Sequence, residues 1–266
     1  MSAVEITNVS KVFNAGSGNQ VVALTDINLS IASGEFVSLI GPSGCGKSTL
    51  LRLIAHLLDP SDGSITVNGK TPKQARLDQD YGMAFQQSGL FEWRTVAKNI
   101  ELPLELKGWD KAKRRERAME MLELVKLADF AHHFPWQLSG GMQQRVAIAR
   151  ALAVHPSLLL MDEPFGALDE MTREHMQSEL LNICRASGTT VVFVTHSIPE
   201  AVYLSNRVVV MSPRPGRVTD VVNVSIEGER SDATRDNEAF FRGITAVREA
   251  LRGVEMSDHV RGIEDR

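Results

Sequence analysis

Residues 41–49 read GPSGCGKST and fit the phosphate-binding pattern GxxxxGK[ST] without a mismatch. The preceding residues, 35–40 (EFVSLI), form a short apolar run of strand type, and residues 50–58 (LLRLIAHLL) have the spacing of a helix. A glycine-rich turn between a strand and a helix directs backbone N–H groups and a helix N-terminus at one point, where they bind phosphate. The stretch therefore predicts a nucleoside triphosphate site.

Each residue type in this stretch suits the chemistry. The glycines permit backbone angles and a close approach that a side chain would block. Lys47 is placed to reach the outer phosphates, and the hydroxyl of Ser48 is a ligand for Mg²⁺. The predicted nucleotide contacts are Gly41, Pro42, Ser43, Gly44, Cys45, Gly46, Lys47, Ser48 and Thr49. The thiol of Cys45 lies near a helix N-terminus, which favours a reactive thiolate; a shielded small residue is the alternative.

The composition limits where the protein works. The 266 residues are 43% hydrophobic, enough for the core of one large or two small domains, and the net charge is −4. Two cysteines give no disulfide framework, as in a reducing cytosol. We find no secretory signal in residues 1–7 and no apolar stretch near the ~20 residues that span a bilayer. The basic run Lys111–Arg117 favours a solvated helix face over nucleic-acid contact. We expect any role at a membrane to be exerted from its surface, through a partner.

Strands and helices alternate after residue 35, which predicts an α/β architecture with a largely parallel sheet. Residues 158–161 and 190–195 are near-continuously apolar, as buried parallel strands are, and residues 95–153 are mainly helical in pattern. A small antiparallel sheet is predicted from three segments: Val4–Phe13, Val21–Ile31 and Ser64–Val67, the last with an Asn68-Gly69 hairpin signal.

The C-terminal part predicts an edge strand and a helix. Val222, Val224 and Ile226 alternate with polar residues after Gly216. One apolar helix face is predicted from five residues: Phe240, Phe241, Ile244, Val247 and Leu251. Residues 253–266 are polar, and we expect them to be poorly ordered. The expected organisation is a domain over residues 1–230, with a helical subdomain inserted at about 88–153, and a C-terminal amphipathic helix and polar tail over 231–266.

Two more motifs carry candidate chemistry. Residues 158–164 read LLLMDEP, which places Asp162 and Glu163 at the C-terminal end of a strand, the end that faces the ligand in a parallel sheet. One carboxylate there can hold Mg²⁺ and the next can activate water, although paired acids also cap the segment that follows. Residues 138–144 read LSGGMQQ, and Ser139 is a good N-cap for the helical run after it. A capped helix without further function is the alternative.

The order of these motifs resembles the ATP-binding-cassette (ABC) ATPases. The phosphate-binding stretch is followed by Gln86, LSGGMQQR, LLLMDEP and a strand that leads to His196, and the resemblance covers about residues 3–215. It implies a P-loop NTPase fold of the ABC ATPase type, with a RecA-like, mainly parallel core sheet, a small antiparallel β subdomain and a helical subdomain.

The resemblance implies a role for each matching residue within one subunit. Glu163 would be the catalytic base and His196 would hydrogen-bond the γ-phosphate. Lys47 and Gln86 complete the implied catalytic set, Gln86 as the sensor of Mg²⁺ and the attacking water. Ser48, Gln86 and Asp162 are the implied Mg²⁺ contacts.

Further implied roles concern adenine and a second subunit. Phe13 would stack on adenine, with a core phenylalanine as the alternative. Ser139, Gly140 and Gly141 would contact ATP bound to a second subunit in a head-to-tail homodimer, and Asp169 (in GALD, 166–169) resembles the loop that communicates across it. The remaining histidines that we considered, His132, His133 and His155, are interpreted as surface residues.

The finer resemblance is to the nitrate/sulfonate/taurine importer branch, through residues 85–100, 164–174 and 207–217. It implies an ATP-hydrolysing subunit on the cytoplasmic face of a bacterial membrane. This subunit would energise uptake of a nitrate-, sulfonate- or taurine-like solute, or a pyrimidine-type precursor, through a separate permease and a periplasmic or lipid-anchored binding protein. The alternatives are a soluble ABC ATPase in repair, translation or cofactor assembly, and a scaffold without turnover; the intact Glu163 and His196 disfavour the scaffold.

Three local features bear on the branch. Glu92 stands where the branch commonly has proline, and Ser197 stands where aspartate is usual. Leu90, Phe91 and Trp93 are dense apolar residues in a loop, either packed under the helical subdomain or forming a docking patch for the permease.

Overall fold

The computed structural model describes residues 2–16, 18–226, 228 and 230–264, with side chains as far as residue 253 apart from that of Asp232. The chain divides into two compact units, one formed by Met1–Asp78 with Thr190–Arg266 and the other by Gln79–Thr189. The predicted helical subdomain, residues 88–153, lies within the second unit, which also contains two strands and a further helix.

The elements alternate along the chain as the sequence predicts. The strands are β1 (Ser2–Phe13), β2 (Val21–Ala32), β3 (Phe36–Ile40), β4 (Asp62–Val67), β5 (Tyr81–Ala84), β6 (Leu158–Asp162), β7 (Thr190–Val194), β8 (Arg207–Met211) and β9 (Val218–Asn223). The α-helices are α1 (Lys47–Ile54), α2 (Pro72–Leu77), α3 (Val96–Leu106), α4 (Lys111–Leu124), α5 (Gly140–Leu152), α6 (Glu170–Ser187), α7 (Ile198–Leu204) and α8 (Glu238–Glu264).

The first unit contains the predicted antiparallel sheet, in the order β2-β1-β4. Alternate residues of β1, among them Val4 and Ile6, are buried, because one face of this sheet is covered and the other is not. The hairpin signal at Asn68-Gly69 is only half right. The turn forms, with backbone hydrogen bonds between Val67 and Lys70, but the chain continues into α2 because Thr71 caps that helix and Pro72 starts it.

The first unit also contains parallel strands. β3 pairs with β7 on one side and β8 on the other, both in parallel, and β9 adds to β8 in the antiparallel sense as the edge strand. Every residue of β3 and β7 is buried, which explains why both sequences are near-continuously apolar. The predicted α/β fold with a mainly parallel sheet and a small antiparallel one is confirmed.

The second unit joins β5 and β6, which pair in parallel from Tyr81↔Leu158 to Ala84↔Met161, with four helices. Each helix begins at a polar N-cap whose side chain accepts a backbone N–H: Thr95 for α3, Asp110 for α4, Ser139 for α5 and Asp169 for α6. These caps satisfy N–H groups that have no partner within the helix, so the sequence sets where each helix starts.

Helix α8 differs from the prediction in two ways. Phe240 and Val247 are buried, but Phe241 is 55% exposed and does not share their face. Adjacent helical residues point about 100° apart, so the two phenylalanines cannot both face the core. The helix also extends to Glu264, through residues for which we expected a poorly ordered tail. Among the described residues, no helix is long and apolar enough to cross a membrane.

The histidines outside the motifs are not all surface residues. His132 and His155 are exposed, as interpreted from the sequence, but His133 is half-buried. The ring of His133 packs 5.1 Å from that of Phe130. Partial desolvation of the ring, and then the charge of the nearby Arg117 guanidinium, lower the pKa of His155.

Candidate active site

The phosphate loop (residues 41–49) connects β3 to α1 in the first unit. Gly46 is the N-cap of α1 and has φ +106°, a conformation that side-chain-bearing residues rarely adopt. Gly41 also approaches its neighbours closely: a Cβ atom there would lie 2.6 Å from the carbonyl oxygen of Met211. The loop therefore depends on glycine to fold against its neighbours while its N–H groups and the start of α1 form an anion-binding turn.

Lys47 is held inside this loop. Only 7% of the residue is exposed, and its Nζ donates hydrogen bonds to the carbonyl oxygens of Gly41 (2.8 Å) and Pro42 (2.9 Å). Cys45 is 1% exposed, with its Sγ 3.6 Å from the same Nζ. The ammonium group is thus positioned at the turn where phosphate would bind, and of the two alternatives for Cys45 the structure favours the shielded small residue.

His196 lies in the turn between β7 and α7 of the first unit, and its side chain is exposed. The residues on either side are fixed: the backbone N–H of Ser197 donates to Thr195 Oγ1 (3.0 Å), and the Thr195 hydroxyl donates to the buried carboxylate of Glu200. Ser197 caps α7 by accepting the N–H of Glu200, so its hydroxyl supplies the cap that an aspartate would supply.

Phe13 is the last residue of β1 and is half-buried, not part of the core. The ammonium group of Lys11 lies 5.2 Å from the centre of its ring. An aromatic ring with an accessible face can stack on a planar base, which leaves the predicted adenine contact open to this residue.

In the second unit, the parallel pairing of β5 with β6 brings Gln86 and the two acids together. Asp162 ends β6 and is buried, and Glu163 follows it with φ +48°. The side-chain amide of Gln86 donates to Glu163 Oε2 over 3.4 Å. The structure therefore places two of the predicted catalytic residues in contact.

The signature turn (Leu138–Gly141) leads into α5. Ser139 accepts the N–H of Met142 over 3.3 Å, and both Ser139 and Gly140 are exposed. Gly141 packs against the loop before α6, where a Cβ atom would lie 3.2 Å from the carbonyl oxygen of Ala167. Two capped helix N-termini, those of α5 and α6, therefore lie side by side.

Asp169 is the cap of α6. Its carboxylate accepts the backbone N–H of Thr172 over 3.0 Å. That bond, then the Thr172 hydroxyl, and more weakly the charge of Arg145 hold the pKa of Asp169 below its ordinary value. The carboxylate is therefore ionised at neutral pH.

Sequence reasoning missed the residues that hold the Gln86 loop (residues 85–89). Gln144 of α5 is buried and donates to the carbonyl oxygen of Phe85 (2.8 Å). Arg150, two turns further along α5, donates to those of Ser88 and Gly89, each over 2.9 Å. The two glutamines and two arginines of α5 were the available signal, but the sequence does not say which polar residues of a helix point inward.

The donor set is compatible with Mg²⁺. In the part of the chain that the structure describes, no three His, Cys, Asp or Glu side chains group into a metal site. Mg²⁺ does not require one, because it usually keeps several waters and binds one or two carboxylates together with substrate phosphates. The buried, oxygen-bearing Asp162 and the hydroxyl of Ser48 are ligands of the type that this ion prefers.

Comparison with known proteins decides the family. The model of the ABC transporter family matches residues 24–166. The chain belongs to this family. It is 50% identical over 227 residues to an ABC transporter ATP-binding protein of Methanocaldococcus jannaschii, which covers 85% of this chain and 84% of that protein.

Two further relatives carry transport names. The taurine import ATP-binding protein TauB of Yersinia pestis is 49% identical, over 82% of this chain and 87% of that protein. The nitrate import ATP-binding protein NrtD of Synechocystis is 42% identical over 96% of this chain and 97% of that protein. The predicted resemblance to the nitrate/sulfonate/taurine importer branch is confirmed.

The fold is confirmed by a solved structure. A dimeric ATP-binding cassette, MJ0796, in a post-hydrolysis state bound to ADP and Pi, matches with a TM-score of 0.77 and 38% identity, over 84% of this chain and all of that one. This chain is therefore an ABC-type ATP hydrolase, as the sequence predicts, and its family binds ATP.

Proposed function

We propose that this chain is the ATP-hydrolysing subunit of a bacterial ABC importer that energises uptake of a small solute through a separate permease. The observation that carries the proposal is the contact of Gln86 with Glu163 at the ends of paired strands, directly after the buried Asp162. The relatives named for taurine and nitrate import extend over 82% and 96% of the chain, which favours a nitrate-, sulfonate- or taurine-like solute over the pyrimidine-type precursor that the resemblance also allowed.

The phosphate loop is the proposed binding element for the nucleotide. Its N–H groups and the N-terminus of α1 favour negative charge, and the Lys47 ammonium, already placed in the loop, would pair with the outer phosphates of ATP. Phe13 would stack on adenine, and His196 would donate to the γ-phosphate. Phe13 would thus recognise the base, while the phosphate loop and His196 would recognise the phosphates.

Glu163 is the proposed general base. Its carboxylate would accept a proton from the water that attacks the γ-phosphorus, and the amide of Gln86 would orient that carboxylate through the hydrogen bond between them. Ser48, Gln86 and Asp162 would hold Mg²⁺, which when bound neutralises charge on the phosphate oxygens.

The exposed signature turn is proposed to act on ATP in a second copy of the chain. Ser139 and Gly140 lie at a helix N-terminus in open surroundings, which suits an anion brought by another molecule. A head-to-tail homodimer would close on two ATP molecules and open after hydrolysis, because the contacts of the signature turn to the γ-phosphate of the other copy exist only in the closed state.

The loop with Phe91 and Trp93 is the proposed permease contact. Trp93 is 75% exposed and its ring lies 5.0 Å from that of Phe91, so it is not a core residue of this chain. Exposed aromatic side chains are typical anchors of interfaces. The subunit would then lie on the cytoplasmic face of the membrane as a peripheral protein, with the solute-binding protein reached only through the permease.

We expect Trp93→Ala to weaken co-purification with the permease while the melting temperature and ATP affinity of the isolated subunit stay close to wild type. Leu106→Ala, at another exposed apolar residue of the second unit, is the control. Normal assembly of the Trp93 variant would remove this residue from the interface. A large fall in the melting temperature of this variant would show that Trp93 contributes to the core.

Solute-stimulated hydrolysis tests the function as a whole. The subunit would be co-purified with its permease and binding protein, and phosphate release measured with nitrate, sulfonates, taurine and pyrimidine precursors. We expect one class to stimulate hydrolysis. ATP hydrolysis by the subunit without stimulation by any solute would instead support the soluble ABC ATPase.

A further inference from the structure

Helix α7 is the element most directly tied to His196. The Ser197 N–H, the Thr195 hydroxyl and the Glu200 carboxylate join the turn that carries His196 to the first turn of α7. A displacement of α7 therefore displaces His196 with it. The helix has only seven residues, and a helix this short has no stability of its own in water. Its position depends on what packs around it.

The other end of α7 is held by a buried arginine from the C-terminal part of the chain. Arg230 is 7% exposed, and its Nη1 donates to the carbonyl oxygens of Val202 (3.3 Å) and Tyr203 (2.5 Å). Its Nη2 donates to that of Ser205 (2.7 Å). The last carbonyl groups of a helix have no partner within it and form the negative end of the helix dipole, so a guanidinium group is well suited to this place.

The C-terminal segment (residues 230–253) contacts α7 at two more points. The guanidinium carbon of Arg235 lies 3.8 Å from the centre of the Tyr203 ring, a cation–π contact. Gly243 of α8 lies so close to α7 that a Cβ atom there would be 2.8 Å from Val202 Cγ1. On its other side, α7 packs against β3, where the hydroxyl groups of Ser38 and Ser205 lie 2.5 Å apart.

We propose that the C-terminal segment is a brace for α7 and that Arg230 is a positioning residue for recognition of the γ-phosphate by His196. The proposal rests on the role given to His196 under the proposed function. Arg230 touches no reacting group; it fixes the last turn of α7, and the Thr195–Ser197–Glu200 bonds carry that position to His196. Loss of the guanidinium leaves buried carbonyl groups that must move to find water.

The variants are chosen to separate positioning from folding. Arg230→Met removes the charge and all the hydrogen bonds, and Arg230→Lys keeps the charge without the forked donors. Gly243→Ala displaces α7 through Val202 without removing a polar group. Arg242→Met is the matched control, because Arg242 lies in the same segment but pairs only on the surface, with Glu238.

Two readouts are needed: steady-state kinetics, and the affinities for ATP and ADP in a Glu163→Gln background that does not turn over. We expect Arg230→Met to lower kcat about tenfold, since small misplacements of a reacting contact cost up to about 100-fold. ATP affinity should fall several-fold while ADP affinity stays at wild type, because ADP lacks the γ-phosphate. Arg230→Lys and Gly243→Ala should lie in between, and Arg242→Met should match wild type.

Two results would overturn the brace: a folded Arg230→Met variant with wild-type kcat, or equal losses of ATP and ADP affinity, which would mean a merely structural role. If Arg230→Met does not fold, Arg230→Lys and Gly243→Ala decide between the same outcomes. Absence of hydrolysis by the wild-type chain would instead contradict the proposed function. The ATP-to-ADP affinity ratio of the variants would still show whether the C-terminal segment positions His196 through α7.

Discussion

The phosphate loop and the signature turn are both glycine-rich approaches to a helix, but their surroundings differ. Gly41 of the phosphate loop has a carbonyl oxygen 2.6 Å from where its Cβ would lie, whereas a Cβ on Gly140 would meet nothing within 4 Å. Lys47 and Cys45 are buried in the first, and Ser139 is exposed in the second. The phosphate loop is packed by its own unit without a ligand, whereas Ser139 and Gly140 of the signature turn are exposed.

The largest expected effect comes from Glu163→Gln. Loss of a general base typically lowers turnover by about 10²–10⁴-fold. Because the phosphate loop and signature turn are unchanged, ATP should still bind and hold the closed dimer. We would measure phosphate release, and molar mass by light scattering with and without ATP.

Glu249→Gln, an exposed change on α8, is the control for this variant. Turnover near the wild-type rate would remove Glu163 from the base role. A variant that binds ATP but stays monomeric would show that the signature turn does not act on a second copy, and the comparison of the two turns would lose its functional meaning.

Lys47→Ala tests the packed turn. A hydrogen bond to a charged group contributes about 1.5–3 kcal/mol, so we expect ATP affinity to fall about 10- to 100-fold. The melting temperature should change little, because the two carbonyl groups that accept from Lys47 belong to a loop that can be hydrated. Calorimetry compares the variant with Lys73→Ala, a charge removed from exposed helix α2. Equal affinity in both would contradict the role of Lys47.

A pair of glycine substitutions tests the comparison most directly. Gly41→Ala should lower both the melting temperature and ATP affinity, because its Cβ cannot fit beside Met211 without a backbone shift. Gly140→Ala should leave both unchanged or raise the melting temperature slightly, since alanine is the better helix former. It should nevertheless reduce hydrolysis and ATP-dependent dimerisation, because the new methyl group lies where the partner's nucleotide would approach. Normal hydrolysis by Gly140→Ala would contradict the proposal that the signature turn acts on a second copy of the chain.

The sequence predicted the parts of this fold in which local and global signals agree. The buried strands, the cap Ser139 and the motif residues themselves follow from patterns within a few positions. The contact of Gln86 with Glu163 depends on the parallel pairing of β5 with β6, and of these two strands only β6 was predicted.

The contacts that the sequence did not predict depend on which way a side chain points. Gln144 and Arg150 hold the Gln86 loop from α5, but in the sequence they are two polar residues of a helix among several. Phe240 and Phe241 are equally apolar, and only the packing of α8 selects one for burial. Arg230 is buried by contacts with backbone carbonyl groups about 25 residues earlier, and no local sequence pattern predicts such contacts.

Thiol labelling should give the smallest effect, and it tests how closed the packed turn is. Cys45 is 1% exposed in the phosphate loop, and burial raises the pKa of Cys184 to about 12, so that its thiolate is scarce near neutral pH. We expect a maleimide to react slowly with the native protein and rapidly with both thiols after denaturation. Cys45→Ser should hydrolyse ATP close to the wild-type rate, because serine fills almost the same volume.

The opposite result would be informative. An opened loop would expose the Cys45 thiol to the reagent. Rapid labelling of one thiol in the native protein, absent in Cys45→Ser and suppressed by bound nucleotide, would show that the phosphate loop opens on the timescale of the reaction. The phosphate loop would then be ordered by its ligand. The difference between the two turns would be one of degree.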